Sequence, residues 1–379
     1  MKHHVADSEP AAAMRRRECI RIAGFMGAAL AGAWPPRLRA DAQDVGSWRT
    51  FEISTRVEIM APSGTTRIWV PAPLIRATPY QRTLATRIQC ASGTARLMKH
   101  TPDALGMVAA EFPSHAKPVL TMIARVATRN WAIDLQAPGK KQTMSRADLA
   151  YWLRPTKLLP TDGIVKDTAF EITRSAKTDL EKARAIYEWI VENTYRDPKT
   201  RGCGIGDIRS MLDLHSLGGK CADLNALFVG LARACGLPAR DVYGIRVTKS
   251  QLGYKSLGAS SSSVTKAQHC RAEVYLSEFG WVPVDPADVR KVMLEEPPGN
   301  RPPEDDMVKR ARARLFGSWE MNWMAYNFAH DVALPGSHGP SIPFFMYPQA
   351  ETAGGRLDCL DPDNFRYEIT AREVVSANG

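Results

Sequence analysis

The chain has 379 residues, 50 Lys+Arg against 40 Asp+Glu, a net charge of +10, 44% hydrophobic residues and 7 cysteines. Those fractions exclude a disordered or collagen-like chain, and the cysteines are too sparse for a disulfide-knit miniprotein. At roughly 150 residues per domain, the length allows two or three domains with proper cores. Residues 1–42 read as an export signal. Arg15-Arg16-Arg17 opens a charged region, Ile22 to Trp34 is a Gly/Ala-rich apolar stretch, and Ala40-Asp41-Ala42 is an A-x-A cleavage site, a pattern that resembles a twin-arginine signal. The expected location is therefore periplasmic or secreted. The apolar stretch is shorter than the roughly 20 residues a spanning helix needs, and later ones are broken by Pro or charge, so no stable membrane insertion is expected.

From 43 to 158 the chain reads as a β-rich domain. Phe51 to Ile59 alternates apolar and polar residues, Ala61-Pro62-Ser63-Gly64 turns the chain, Thr66 to Pro71 resumes the pattern, and Val119 to Val126 repeats it. Short strands without a long helical period predict an antiparallel sandwich of about 100 residues. The character changes near Pro160. Ala176, Leu180, Ala183, Ile186, Tyr187 and Ile190 share one helical face, predicting a single amphipathic helix from Thr168 to Tyr195. After an irregular Gly-rich stretch from Arg201 to Gly219, a second helix carries Leu224, Leu227, Phe228, Leu231 and Ala234 as its apolar stripe and stops at Gly236-Leu237-Pro238. Then come a strand over Asp241–Val247, a Ser-rich segment from Ser256 to Ser263 read as a flexible loop, and a hairpin of His269–Leu276 and Trp281–Asp285. Met307 to Arg314 is predicted as a helix whose Lys309, Arg310, Arg312 and Arg314 form a solvated face. The tail from Trp319 to Tyr367 adds strands to one of the two cores.

Chemistry concentrates between 219 and 285. Cys221 follows Gly218-Gly219-Lys220 and opens the second helix, where the dipole and unpaired N–H groups lower a thiol pKa and enlarge the thiolate fraction. His269 supplies a base that can later protonate a leaving amine, and Asp285 a carboxylate to fix the ring's tautomer and orientation. The hairpin register decides whether the last two meet. A four-residue loop would send Asp285 to the wrong face. A three-residue loop Ser277-Glu278-Phe279, with Gly280 as a left-handed bulge residue, pairs Leu276 with Gly280 and sets His269 and Asp285 diagonally on one face. Gly at 280 favours the second.

The blocks Gly219-Lys220-Cys221-Ala222-Asp223-Leu224-Asn225-Ala226-Leu227, His269-Cys270-Arg271-Ala272-Glu273-Val274-Tyr275 and Gly280-Trp281-Val282-Pro283-Val284-Asp285-Pro286 resemble the nucleophile helix and the histidine and aspartate strands of the transglutaminase-like superfamily. With the preceding helix, the resemblance covers roughly 160 to 290. It implies an α+β fold with a papain-like core, the nucleophile helix packed on an antiparallel sheet, preceded by the sandwich-like domain. The organisation expected is a signal over 1–42, the β-rich domain over 43–158, a catalytic core over 159–290 and a C-terminal extension over 291–379. The resemblance further implies thioester chemistry on amides, with Cys221 as nucleophile, His269 as general acid/base and Asp285 as orienter. One departure is visible: Cys270-Arg271 stand where the family often has Ala-Trp. The oxyanion donors suggested are the Cys221 N–H and a side chain between Asn193 and Tyr195.

The expected activity is that of an exported cysteine protease, amidase or acyltransferase acting on a protein or peptide substrate, with water or an amine as the second reactant. The alternative is a non-catalytic binding module that retains the three residues. No cofactor is expected, and no metal, since no C-x2-C or H-x3-H element occurs. Without an arginine stripe interleaved with aromatics, no nucleic acid is expected. Oligomeric state is left open. Among the other cysteines, Cys235 and Cys270 are read as structural, and Cys203 as able to pair with Cys221 or Cys235.

Overall fold

The computed structural model of the protein describes residues 46–374. The export signal lies outside the described residues. Seven helices are present among them: α1 (Arg146–Leu153), α2 (Gly163–Thr173), α3 (Asp179–Asn193), α4 (Ile208–Asp213), α5 (Cys221–Ala234), α6 (Pro286–Glu295) and α7 (Asp306–Arg314). None is long and apolar enough to cross a membrane.

Two antiparallel sheets form the sandwich. One runs in the order Phe365–Val374, Arg49–Ile59, Val119–Thr128, Gln81–Gln89; the other Gly355–Arg356, Gln349–Thr352, Thr66–Ala72, Leu105–Phe112, Thr94–His100. Alternation along Arg49–Ile59 puts Phe51, Ile53, Val57 and Ile59 on one face, as a half-buried strand requires. That face serves two cores. Val57 and Ile59 pack with Ile68, Val70, Leu120 and Met122 between the sheets, whereas Phe51 and Ile53 join the core around α5. The tail likewise serves both halves rather than one. Gln349–Thr352, Gly355–Arg356 and Phe365–Val374 complete the sandwich, and Trp323–Asn327 becomes the edge strand of a third sheet ordered Gly280–Val284, Gln268–Leu276, Ala239–Arg246, Trp323–Asn327.

That third sheet carries α5, which is buried from Cys221 to Arg233 and packs on the Gln268–Leu276 and Ala239–Arg246 strands with α2, α3, α4 and α6 around it. Its apolar stripe is the middle of the largest core, so the helix is fixed by burial along its length. Gly230 has a packing reason: a Cβ there would stand 2.0 Å from Ile208 Cδ1 of α4.

Four expectations about elements need correction. The single helix over 168–195 is two helices, because Thr178 and Glu181 form a capping box that starts α3: the Glu181 N–H donates to Thr178 Oγ1, and Glu181 Oε2 accepts from the Thr178 N–H. The β-rich segment and the Gly-rich stretch hold α1 and α4, each started by a side-chain cap, Ser145 and Asp207. The Ser-rich segment is pinned, not loose. Ser256 donates from N and Oγ to Glu296, the Leu257 carbonyl accepts from Arg246 and Asn322, and Ser263 bridges to Thr370. Finally, Arg312 of α7 is no solvated charge; it pairs with Glu188 and Glu192 of α3.

Candidate active site

The hairpin adopts the three-residue loop. Leu276 pairs with Gly280, Ala272 with Val284, and Gly280 takes a φ of 73°, the left-handed value the bulge requires. Arg271 therefore stands across from Asp285, and His269 lies diagonal to it. The His269 Nε2–H donates to Asp285 Oδ2 at 2.7 Å. Asp285 is also the N-cap of α6, its Oδ1 accepting the Asp288 N–H at 3.1 Å and Asn225 Nδ2 at 3.2 Å. Helix start and ring orientation thus share one buried carboxylate. With Nε2 committed, Nδ1 is the ring nitrogen left to face a thiol.

That thiol is Cys221, at the first position of α5. Its surroundings are set by Asp223 two residues on, whose Oδ2 accepts from the Lys220 N–H at 2.9 Å and whose Oδ1 accepts from the N–H groups of Ile205 and Gly206 at 3.0 and 2.9 Å. The Cys203 carbonyl accepts the Ala222 N–H at 2.9 Å. The 203–206 loop is thereby strapped to the helix tip, which demands glycine: a Cβ at Gly204, φ +90°, would fall 1.8 Å from Asp223 Oδ2. The Cys221 N–H has no acceptor among the described residues, which leaves it free to bind a developing oxyanion.

Cys221 and His269 are each 4% exposed and Asp285 is fully buried, so only a narrow approach reaches the sulfur. Hydrogen bonding from the Cys203 and Cys270 thiols holds the Cys221 pKa well below the ordinary value; burial opposes this, and the His269 imidazole adds to it. Burial alone would lower the His269 pKa, but attraction to Asp288 and Asp285 outweighs it and the net shift is upward. A thiol pushed down beside an imidazole pushed up is the condition for a thiolate–imidazolium pair.

The other cysteines sort differently from expectation. Cys270 is fully buried against α5, yet its thiol reaches Cys221. Cys203 also adjoins Cys221, and its Sγ lies 3.4 Å from the Gln268 carbonyl. Cys235 caps the far end of α5, some 20 Å away along a helix of that length, so pairing with Cys203 is ruled out. All six described cysteines are free thiols. Asn193 donates to the Trp189 carbonyl at 2.9 Å, and the Tyr195 ring covers Gly218. The suggested Asn193–Tyr195 region thus spends its one amide on α3.

Several contributors escaped the sequence reading. Asp288 lies 3.4 Å from His269 Nε2 and is gripped by Arg246 Nη2 at 2.6 and 2.8 Å. Asp285-Pro286-Ala287-Asp288 is a helix-start signal that could have revealed it. Asn225 sits one turn beyond Cys221 on the same face. Arg246 and Trp323, whose Nε1 donates to the His269 carbonyl at 2.8 Å, come from distant strands and left no local signal. The departure at Cys270-Arg271 also acquires a structure: Arg271 is buried with its guanidinium 4.6 Å from the Trp323 ring and 5.3 Å from that of Trp319, so tryptophans of the tail back this strand.

His269, Asp285 and Asp288 are the only described residues whose ligand-type atoms cluster closely enough to share an ion, within 4.8 Å. Arg246 occupies both Asp288 oxygens and Arg271 Nε stands 3.6 Å from Asp285 Oδ2, so guanidinium charge already answers the carboxylates. The donor set fits an ion-pair network rather than a cation site.

The family model described as the Transglutaminase-like superfamily matches residues 166–286. The chain belongs to that superfamily. An uncharacterized protein of Haemophilus influenzae is 34% identical over 343 residues, covering 86% of this chain and 91% of its own. Solved structures show looser likeness. A candidate cysteine protease from Cytophaga hutchinsonii shares 16% identity over 86% of this chain and 99% of its own, with a TM-score of 0.48. The periplasmic domain of TgpA from Pseudomonas aeruginosa, bound to ethylmercury, shares 17% over 60% of this chain and 90% of its own, with a TM-score of 0.32.

Proposed function

We propose that the protein is an exported cysteine enzyme that attacks a carboxamide or peptide carbonyl. The observation that carries this reading is the 2.7 Å His269–Asp285 bond beside a Cys221 thiol whose pKa is depressed at a helix N-terminus. Cys221 Sγ adds to the carbonyl carbon, and the Cys221 N–H stabilises the oxyanion. His269, held by Asp285, gives its proton to the departing nitrogen, and ammonia or an amine leaves with the C–N bond. The thioester then passes its acyl group to water or to a second amine, His269 taking the proton of the incoming group.

Water makes the enzyme a protease or amidase; an amine makes it a transglutaminase-type acyltransferase. Both share the acylation half, and a protein or peptide is the substrate of either. The twin-arginine-type segment supports a periplasmic or secreted site of action. Incubating the mature protein with a glutamine-bearing peptide, with and without a primary amine, separates the outcomes by mass: deamidation, cleavage or amine incorporation. None of the three, from folded protein whose Cys221 is reduced and unmodified, would favour a binding module.

A further inference from the structure

His269 faces two carboxylates. Nε2 is 2.7 Å from Asp285 Oδ2 and 3.4 Å from Asp288 Oδ2, and the pair are tied together by the Asp288 N–H donating to Asp285 Oδ1. They are not equivalent. Asp285 spends its lone pairs on orientation, accepting from the ring, from Asn225 and from the α6 backbone. Asp288, fully buried one helical turn on, makes no comparable bond to the ring; its two oxygens are chelated by Arg246, whose other nitrogen is anchored on the Leu257 carbonyl at 2.5 Å. A carboxylate fixed this way can neither swing away nor accept a proton without stranding a buried guanidinium.

We propose that Asp288, kept ionised by Arg246, is a positioning residue that holds the charge rather than the orientation of His269, and that the Asp288–Arg246 pair sets the upper pH limit at which the imidazolium persists beside Cys221. This rests on the reading of Cys221 and His269 as the reacting pair. The charged and titratable groups around the ring are Asp285 and Asp288 from α6, Arg246 from the neighbouring strand, Arg271 from its own strand and the Cys221 thiol from α5, with Cys203 and Cys270 behind that thiol and Lys291 close to Asp288. The direction of the His269 shift agrees: against burial and Arg246, the charges of Asp288 and Asp285 both raise it. Removing an anion at this range lowers an imidazole pKa by about 1–3 units.

The test reads the ring directly. In the full mature chain carrying Cys221→Ser, the His269 pKa is followed by 15N NMR with and without Asp288→Asn, an isosteric change that removes the charge and one of the two acceptors of Arg246. A fall of about one unit or more is expected. An unmoved or raised pKa overturns the proposal. Because Asp288→Asn leaves Arg246 uncompensated and can unfold the chain, Asp288→Asn/Arg246→Gln is measured beside it; this neutral pair must also lower the pKa, by less, since an opposing cation goes too. With the native thiol restored, the basic limb of the kcat/KM profile moves to lower pH in the same direction; a uniform loss at every pH would mark Asp288 as merely structural. The two readings fail separately. A shifted ring in a protein without turnover sinks the enzyme and keeps the charge-holding role, and an unshifted ring in an active one does the reverse.

Discussion

The sandwich and the third sheet treat charge in opposite ways. Along Arg49–Ile59, buried and part-exposed residues alternate, and the outward charges pair at the surface, Arg49 with Glu373 and Glu52 with Arg125 and Arg372. The Ala239–Arg246 strand is buried at every position, and Gln268–Leu276 at nearly every one. Both faces of that sheet are covered, by α5 on one side and by a tryptophan-rich cluster including Trp152, Trp319 and Trp323 on the other. Its charges are therefore enclosed. Arg240 is bonded to Glu273 and sandwiched by Trp281 and Phe328, and Arg246 and Arg271 answer Asp288 and Asp285. Where one face meets water a charge is cheap to hold and does little. Where both are covered each charge needs a partner, and those partnerships set the proton affinities of the site.

The largest effect expected is functional. Cys221→Ala should lower turnover by at least about ten-thousand-fold while leaving the melting temperature nearly unchanged, as assays and calorimetry on one preparation will show. The enclosed pair comes next. Arg240→Met strands Glu273 and should cost about 3–5 kcal/mol in urea unfolding, whereas Arg240→Met/Glu273→Met recovers most of it. Asn225→Ala removes one donor to Asp285 and should cost about 1–3 kcal/mol together with a lower kcat. The surface pair closes the series: Arg49→Ala, at a part-exposed bridge, should change stability by about 0–1 kcal/mol. A surface loss as large as the enclosed one would break the contrast.

Acid should separate the regions as well. Burial pushes the Asp288 carboxyl up, but Arg246, His269 and Arg271 pull harder, and it rests well below the usual range. A depressed folded pKa stabilises above the unfolded value of about 3.9, and that stability drains as pH falls toward the folded value. His269, raised, contributes below the unfolded value of about 6.5 and loses the contribution as pH climbs through the folded pKa. Urea midpoints against pH should show both slopes, and Asp288→Asn/Arg246→Gln should flatten the acid one.

How much the sequence reveals follows the same division. The sandwich strands were legible because alternation is a local signal, and the register at Gly280 because one residue's backbone freedom selects the loop. Cys221, His269 and Asp285 were legible as types at spacings that a helix start and a hairpin bring together. The capping box at Thr178 was written in the chain and overridden by an unbroken apolar stripe, which hid the gap between α2 and α3. Arg246, Trp323 and the placing of the tail in both halves depend on contacts between residues far apart in the chain, and no window of sequence contains them. Cys203 was visible only as a cysteine in a Gly-rich loop; the Asp223 strap that brings that loop to Cys221 is tertiary.

The central claim is that Cys221 is a thiolate held beside a protonated ring. The direct measurement is the rate of iodoacetamide labelling at each cysteine, followed by peptide mass spectrometry from acid to neutral pH. Cys221 should label well below pH 7, far ahead of Cys235, whose thiol burial pushes up to about 11, and Asp285→Asn should slow it. Labelling of Cys221 no faster than of Cys235 across that range would contradict the account.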